Sequence, residues 1–153
     1  MVYGKIDPAR LEGDALTQWY LRSPADIEEE KRQAASRAYK MAGITKPLQE
    51  LDLAEMHDAF TGTEIMAYQD CHFCEEGEGA RLIDEGVTER TGRLPVNLSG
   101  GLIGCGHAVG ATGIMQTIEV VRQLQGRADK RQLDKPRRGL VQNIGGIGCA
   151  WTV

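Results

Sequence analysis

The sequence predicts a layered α/β domain, and three observations support this fold class. Helical patterns alternate along the chain with short apolar segments that favour strands. The 19 glycines are clustered between these segments, most densely at residues 100–113, and they follow no repeat. The length of 153 residues suits one domain with a sizeable core. We therefore expect residues 1–153 to form one domain, in which residues 1–22 are an N-terminal extension whose structure the pattern does not define.

Composition and charge exclude several classes of function. The formal net charge is −4, and no Lys/Arg cluster is interleaved with aromatic residues, which argues against a nucleic-acid surface. The longest apolar runs are far shorter than a membrane span, and the first ten residues lack the pattern of a secretion signal. Without such a signal, the four cysteines are expected to be free thiols. The sequence thus predicts a cytoplasmic protein.

The first clear element is a helix predicted over residues 24–41. Ser23 can cap its N-terminus, and Pro24 fits the first helical position. Acidic residues between positions 26 and 30 complement the helix dipole, and Gly43 is expected to end the helix. An alanine-rich face of this helix suggests close packing against another layer, and it comprises Ile27, Ala34, Ala38 and Met41.

The middle of the chain is predicted to contain one strand and two helices. Leu51, Leu53 and Met56 mark the strand, which follows a turn around Pro47. The helices are predicted over residues 61–69 and 80–85. His57 therefore comes directly after a strand, at the kind of position where α/β proteins build their sites.

The last third of the chain is predicted to form a helix over residues 111–124 and two strands over residues 139–142 and 149–153. The helix is recognised by apolar residues at helical spacing, namely Ile114, Ile118, Val121 and Leu124. A polar connection at residues 127–138 separates it from the strands, and the loop NIGGIG joins them. That loop either offers backbone N–H groups to a ligand or is a simple glycine hairpin.

Two of the three histidines are candidates for chemistry. His57 follows the predicted strand, and His107 precedes the helix at residues 111–124, inside the stretch GCGHAVGATG. Glycines beside His107 permit close approach of a ligand, and the helix N-terminus favours a thiolate or an oxyanion there. The two imidazoles would then face one pocket as oxyanion donors or as a general base. The alternative is that each is a separate, hydrogen-bonded structural histidine.

The cysteines give weaker signals. Cys71 and Cys74 form a lone CxxC, and zinc would need two further ligands, for which Cys105 and His107 are available only if the fold brings them together. Acidic residues and glycines follow the CxxC, whereas a thioredoxin-type pair opens a helix. We therefore predict no metal site. Cys105, two residues from His107, is the thiol best placed for function, and a packed thiol in a tight loop is its alternative.

Several segments together resemble the C-terminal half of a thiolase. They are HDAF at 57–60, GEG at 77–79, RLPVNLSGGLIGCGHAVGATG at 93–113 and QNIGGIG at 142–148, and the resemblance covers residues 34–153. It is closest to sterol-carrier-protein-type thiolases and their archaeal and bacterial relatives, which have histidine where other thiolases have the asparagine of NEAF. The resemblance implies a layered α/β/α domain with a mixed five-stranded sheet, spanning residues 1–153.

The resemblance also implies a reaction and site residues. A nucleophilic cysteine takes the acyl group of an acyl-CoA thioester, and Claisen chemistry then joins or cleaves a 3-oxoacyl-CoA. His107 matches the histidine of the family's GHP motif, which activates the nucleophile, and His57 matches an oxyanion-hole position. The implied substrate-binding positions are Gly106, Asn143, Gly145 and Gly146, of which Gly145 lies in the loop of a second oxyanion hole. Coenzyme A thioester is the substrate, and no other cofactor is expected.

Three departures from the family pattern bear on the mechanism. The half that carries the nucleophilic cysteine is absent, and none of the four cysteines takes its place. The acid–base cysteine of the last glycine loop is also missing, with Asn143 roughly there, and the cysteine of the related HDCF motif is Ala59. The proline of GHP is Ala108. We therefore hypothesise that Cys105, beside His107, supplies the acid–base thiol.

The missing half predicts a partner. The family packs two similar halves together, so one half alone leaves a face of its central helices exposed. We expect a separate chain with the nucleophile, a higher oligomer, and as a possible third partner a small zinc-ribbon/OB-fold protein. Two alternatives remain: a related reaction on this fold, such as retro-aldol cleavage or acyl transfer to a non-CoA substrate, and a non-catalytic scaffold.

Overall fold

The computed structural model describes residues 24–145 and 150–152, and the side chains of residues 29–144. The described residues form both helices and strands, so the α/β class is confirmed, but the elements do not alternate: four helices separate the first strand from the other three. The helices are α1 (Pro24–Ala42), α2 (Pro47–Glu50), α3 (Thr61–Asp70), α4 (Gly79–Asp84), α5 (Gly101–Cys105) and α6 (Thr112–Leu124), followed by a 3-10 turn at Asp129–Arg131. The strands are β1 (Leu53–Glu55), β2 (Gly139–Val141), β3 (Asn143–Gly145) and β4 (Ala150–Thr152).

Helix α1 ends at a glycine, as the sequence predicts. Gly43 has a φ of +67°, a left-handed conformation that glycine adopts without strain. The N–H of Ile44 then donates to the carbonyl of Tyr39 at 2.9 Å, which satisfies a carbonyl of the last turn. The predicted turn around Pro47 is a short helix, because proline fits the first helical position of α2.

The side of α1 that packs within this chain is not the alanine-rich face. Its buried residues are Lys31, Ala35 and Tyr39, whereas Met41 is 89% exposed. Lys31 forms an ion pair of 3.4 Å with Asp70, and the Tyr39 hydroxyl donates to the carbonyl of Cys71 at 2.8 Å. These polar anchors turn α1 towards α3. Ala34 and Ala38 are half-buried, and the side chain of Ile27 lies outside the described residues.

The described strands form two separate two-stranded sheets, and the expected mixed five-stranded sheet is not seen. Strand β1 runs parallel to β2, with Ala54 opposite Leu140, and β3 runs antiparallel to β4. On its other side, the strand pairing of β1 with the described residues is a single bridge between Ala54 and Val96. Pro95 has no N–H to donate and Asn97 turns the chain with a φ of +53°, so pairing stops there.

The hydrophobic core lies where α1, α3 and α4 cover β1. Its residues include Tyr39 of α1, Ala67 and Tyr68 of α3, Leu82 of α4, and Leu51, Ala54, Met56, Phe73, Leu94 and Leu140. Helix α6 packs against β1 and β2. Gly139 of β2 lies so close to Val120 of α6 that a Cβ there would overlap it, which explains the glycine at this strand position.

Helix α6 buries a largely polar face and exposes an apolar one. Its buried residues are Thr112, Gln116, Glu119, Val120 and Gln123. The apolar residues whose spacing predicted the helix lie on the other side, where Ile114 is 63% exposed and Ile118, Val121 and Leu124 are 41–44% exposed. The helix is therefore confirmed, but its apolar residues stay substantially exposed and are not among the buried core of the described part of this chain. None of the described helices is long and apolar enough to cross a membrane.

Candidate active site

The His57 imidazole is buried at the end of β1 and is held at two points. Its main-chain N–H donates to the Oε1 of Gln142 at 2.9 Å, and its Nδ1 lies 2.7 Å from the Oδ1 of Asn143. Gln142 is itself fixed, because its N–H donates to the carbonyl of Glu55 at 2.9 Å and its carbonyl accepts from Gln116 at 3.1 Å. The ring orientation of His57 is thus set by β3 and α6 together.

His107 lies on the exposed segment between α5 and α6. Its Nδ1 is 2.7 Å from the hydroxyl oxygen of Thr112, and that hydroxyl is 3.4 Å from the carbonyl of Ala108, to which it donates. With its hydrogen committed to Ala108, the Thr112 oxygen accepts from Nδ1–H, which leaves Nε2 of His107 with a free lone pair. Thr112 was missed by the sequence reasoning, and the signal was a hydroxyl at the start of a helix five residues after the histidine.

The structure brings the two imidazoles together. The ring centroids of His57 and His107 are 4.9 Å apart and the rings are nearly perpendicular. Burial lowers the pKa of His57 below its ordinary value and the neighbouring His107 adds to this, while the Asn143 contact and Asp58 act in the opposite direction. Burial thus favours the neutral form of the His57 imidazole, which faces the His107 ring.

A buried glutamate holds the glycine-rich loop that precedes α5. Glu55 of β1 is fully buried, and its carboxylate accepts from the N–H of Ser99 at 3.0 Å and from the Ser99 hydroxyl at 2.6 Å. Burial raises the pKa of Glu55 to about 7, and the nearby carboxylates of Glu119 and Asp58 raise it further, whereas the Ser99 hydrogen bonds oppose the rise. The loop is thus tied to β1, the strand that ends two residues before His57.

Asp58, the neighbour of His57, caps helix α5. Its carboxylate accepts from the N–H groups of Leu102 at 2.6 Å and Ile103 at 3.5 Å, which satisfies donors of the first turn. Gly101 has a φ of +63°, and a Cβ at this position would overlap the Asp58 carboxylate. The HDAF and SGG segments therefore fit together directly, and α5 leads from this contact to Cys105 and His107.

Cys105 is exposed at the C-terminal end of α5, and its thiol donates to the carbonyl of Ser99 at 3.3 Å. Gly106, with a φ of +81°, turns the chain between this cysteine and His107. The sequence places Cys105 two residues from His107, and the structure directs its thiol hydrogen to the backbone. Its acid–base role stays a prediction, as does the substrate-binding role of Gly106.

The predicted substrate-binding residues of the last glycine loop are only partly described. Asn143 and Gly145 lie in β3, and Asn143 contacts the His57 ring directly. The N–H of Ile144 is 3.5 Å from the same ring nitrogen, at the limit of hydrogen-bond distance. Gly146 lies outside the described residues. The contact of Asn143 with His57 was not foreseen, since 86 residues separate the two in the chain.

The CxxC segment does not take part in this site. Cys71 is buried in the core, and burial raises the pKa of its thiol well above the ordinary range. Burial also raises the pKa of the Cys74 thiol, so neither favours the reactive thiolate form. His72, between them, contacts the hydroxyl of Ser36 at 3.0 Å. Among the residues that the structure describes, no group of three or more His, Cys, Asp and Glu side chains could hold a metal ion.

Comparison with known proteins identifies the family. Residues 13–153 match the family described as "Thiolase C-terminal domain-like". The chain belongs to this thiolase family. An acetyl-CoA acetyltransferase of Methanothermobacter thermautotrophicus is 49% identical over 115 residues, which are 75% of this chain and 30% of that protein. Human sterol carrier protein 2 is 40% identical over 122 residues, or 80% of this chain and 22% of that protein.

Two further similar proteins have names that refer to a subunit or to two components. The "Benzoylsuccinyl-CoA thiolase subunit BbsB" of Thauera aromatica is 28% identical over 93% of this chain and 37% of its own length. A solved structure, "Ltp2-ChsH2(DUF35) aldolase", superposes with a TM-score of 0.71 and 27% identity, covering 84% of this chain and 32% of the matched chain. This chain thus spans about a third or less of the length of most of these relatives.

Proposed function

We propose that this chain supplies the histidine half of a thiolase-like acyl-CoA acyltransferase. The observation that carries the proposal is the pair of imidazoles 4.9 Å apart, formed by HDAF and GCGHAVGATG in a thiolase-family chain. In this proposal His107 accepts the proton of a cysteine thiol through its free Nε2, and the resulting imidazolium can then donate to the thioester oxygen. The substrate is a coenzyme A thioester and no other cofactor takes part.

The nucleophilic cysteine comes, in this proposal, from a partner chain that carries the other half of the fold. The exposed face of α6 supports it, because Ile114, Ile118 and Val121 form an apolar stripe, and Ile103 of α5 and Val109 are also exposed. A contiguous apolar surface of this kind marks an interface. The relative named as a thiolase subunit and the solved structure with a two-component name fit the same arrangement.

A native pull-down with mass identification of the bound chains tests the partner. We expect one bound chain with a nucleophilic cysteine, in a higher oligomer, and the same experiment shows whether a small zinc-ribbon/OB-fold protein is present. The two chains, separately and combined, are then assayed for CoA-dependent cleavage of a 3-oxoacyl-CoA. Turnover only in the mixture supports the proposal, whereas a stable, active monomer of this chain alone would refute it.

A second candidate reaction is retro-aldol cleavage of a 3-hydroxyacyl-CoA, or acyl transfer to a non-CoA acceptor. Asn143 stands in the loop where the resemblance expects an acid–base cysteine, and the solved relative is named an aldolase. Offering the assembled enzyme 3-oxoacyl-CoA and 3-hydroxyacyl-CoA side by side separates the two reactions. Assembly without turnover of either substrate would instead support a non-catalytic scaffold.

We also propose that the assembly works in the cytoplasm. The described cysteines Cys71, Cys74 and Cys105 are free thiols, which fits a reducing compartment. Fractionation of cells that express a tagged chain tests the location directly.

A further inference from the structure

We propose that His57, held by Asn143, is the acid–base group of this site and takes the place of the missing thiol. The inference rests on the proposed acyl-transfer function and changes the role of one residue. The resemblance gives His57 the role of an oxyanion donor and leaves proton transfer to a cysteine. The short contact of the imidazole with Asn143 supports the opposite role, and Asn143 is then a positioning residue that selects which ring nitrogen is free.

The hydrogen bond to Asn143 decides the tautomer of His57. An amide oxygen can only accept, so the Oδ1 of Asn143 at 2.7 Å requires a hydrogen on Nδ1. The N–H of Ile144, which competes for this nitrogen, is much farther away at 3.5 Å. A neutral imidazole carries one hydrogen, so the Nε2 of His57 holds a lone pair. In this state it accepts a proton and cannot donate to an oxyanion.

The surroundings keep this imidazole neutral and fixed. Its ring is buried, and the charged or titratable groups that affect its pKa are His107 and Asp58. Burial is the largest influence and lowers the pKa, so the lone pair is available at pH 7. The main-chain N–H of His57 also donates to Gln142 at 2.9 Å, which anchors the backbone that carries the ring.

Gly113 leaves the space that Asn143 occupies. A Cβ at Gly113, in the first turn of α6, would come within 2.8 Å of the Asn143 Nδ2. The last glycine of GCGHAVGATG therefore has a role at the site, because any larger residue pushes the amide away from His57. The competing thiol, Cys105, is exposed and donates its hydrogen to the Ser99 carbonyl.

The proposed step balances in protons and electrons. A proton leaves the α-carbon of an acyl-CoA for Nε2 of His57, and the C–H electron pair attacks the carbonyl carbon of the acyl-cysteine thioester on the partner. A C–C bond forms, the C–S bond breaks, and its electron pair leaves on the cysteine sulfur. The imidazolium of His57 then returns its proton to that thiolate. Thiolytic cleavage is the same sequence in reverse.

Nuclear magnetic resonance of the full chain tests the tautomer without any activity. The chain has three histidines, so long-range ring ¹⁵N–¹H spectra stay simple, and His72→Gln and His107→Gln variants assign the signals. We expect His57 to be protonated at Nδ1 at pH 7.5. A spectrum with the hydrogen on Nε2 would make His57 an oxyanion donor and overturn the inference.

Asn143→Asp provides the second measurement. A carboxylate at this position keeps the acceptor and adds a negative charge, so the pKa of His57 should rise by roughly 1–3 units. The pKa of His72 is the internal control and should stay the same in both proteins, because this ring contacts Ser36 and not Asn143. An unchanged pKa of His57 would show that the amide does not bind the ring, contrary to the proposal.

The assembled enzyme provides the kinetic test. The acidic limb of the pH profile of kcat/KM should move to higher pH in Asn143→Asp by as much as the pKa of His57 moves, whereas a merely structural change lowers the rate at every pH. A limb that stays in place while the pKa moves would overturn the base assignment. If the assembly shows no acyl transfer, the proposed function fails while the tautomer result still stands.

Discussion

The two imidazoles of the site differ in how this chain supports them. His57 is buried next to the hydrophobic core, and both its main chain and its ring are held by hydrogen bonds. His107 is exposed and has one side-chain anchor, Thr112, at the start of the helix whose apolar face is open. The difference shows that this chain fixes the His57 ring by itself, whereas in the proposed assembly the partner would complete the surroundings of His107.

Removing the exposed imidazole should have the largest effect. His107→Ala in the assembled enzyme should lower kcat by about 10²–10⁴-fold, the usual contribution of a general base. The measurement is thiolysis of a 3-oxoacyl-CoA, with His72→Gln as the matched histidine control. Equal losses in the two variants would mean that the effect is on folding and not on chemistry.

A charge on the open face of α6 should prevent assembly. Ile118→Asp would bury an unpaired carboxylate in the interface, which costs on the order of 3 kcal/mol and weakens partner binding by roughly 100-fold. Ile83→Asp on α4 is a close control, because Ile83 is 43% exposed and Ile118 is 44% exposed. Calorimetric titration of the partner checks this, and similar affinities for both variants would contradict an interface on α6.

The buried carboxyl group of Glu55, next to the hydrophobic core, should make the stability of this chain depend on pH. Its pKa of about 7 lies above the ordinary value of 4.5, so the folded state favours the protonated carboxyl. The contribution of Glu55 to the free energy of unfolding is therefore fully present below pH 4.5 and is lost as the pH rises through 7. The loss amounts to about 3 kcal/mol at most. Denaturant unfolding of the wild type and Glu55→Gln should therefore diverge between pH 4.5 and 8, with Glu85→Gln as an exposed control. Parallel curves for Glu55→Gln would exclude this buried ionisation.

Loss of the Thr112 hydroxyl should have the smallest effect. Thr112→Val keeps the shape but leaves the Nδ1–H of His107 without its acceptor, at about 1 kcal/mol, or a fall in kcat of roughly fivefold. Thr112→Ser should restore most of the rate. Thr117→Val on the same helix removes a hydroxyl that bonds the Gly113 carbonyl at 2.7 Å and serves as the control. A Ser variant as slow as the Val variant would argue against this hydrogen bond.

The sequence predicted those features that depend on neighbouring residues in the chain. The end of α1 followed from Gly43, and the helix at residues 112–124 followed from apolar spacing. That spacing could not show which side of α6 faces this chain, because the periodicity of an apolar stripe is the same against its own core and against a partner. The contact of Asn143 with His57 depends on the pairing of distant segments, which a linear pattern does not specify.

The extent of strand pairing could not be predicted from the sequence either, for a different reason. The sequence predicted a strand around Leu53, which Val96 approaches in the structure, but pairing requires a free N–H and an extended backbone at each position. Pro95 and Asn97 remove these on either side of Val96, so only a bridge forms. The motifs that meet at Asp58 and Gly101 were recognised separately, and the steric fit between them became visible only in three dimensions.

The buried polar face of α6 has a consequence for the rate at which a partner could bind. Gln123 donates to the carbonyl of Arg131 at 2.8 Å and accepts from the N–H of Leu133 at 2.9 Å, and Glu119 forms an ion pair with Arg131. These bonds fix the rotation of the helix about its axis before any partner arrives. If the proposed partner binds this stripe, the stripe is already in its final orientation, so association would need no rearrangement of this helix and would proceed at the rates typical of rigid docking.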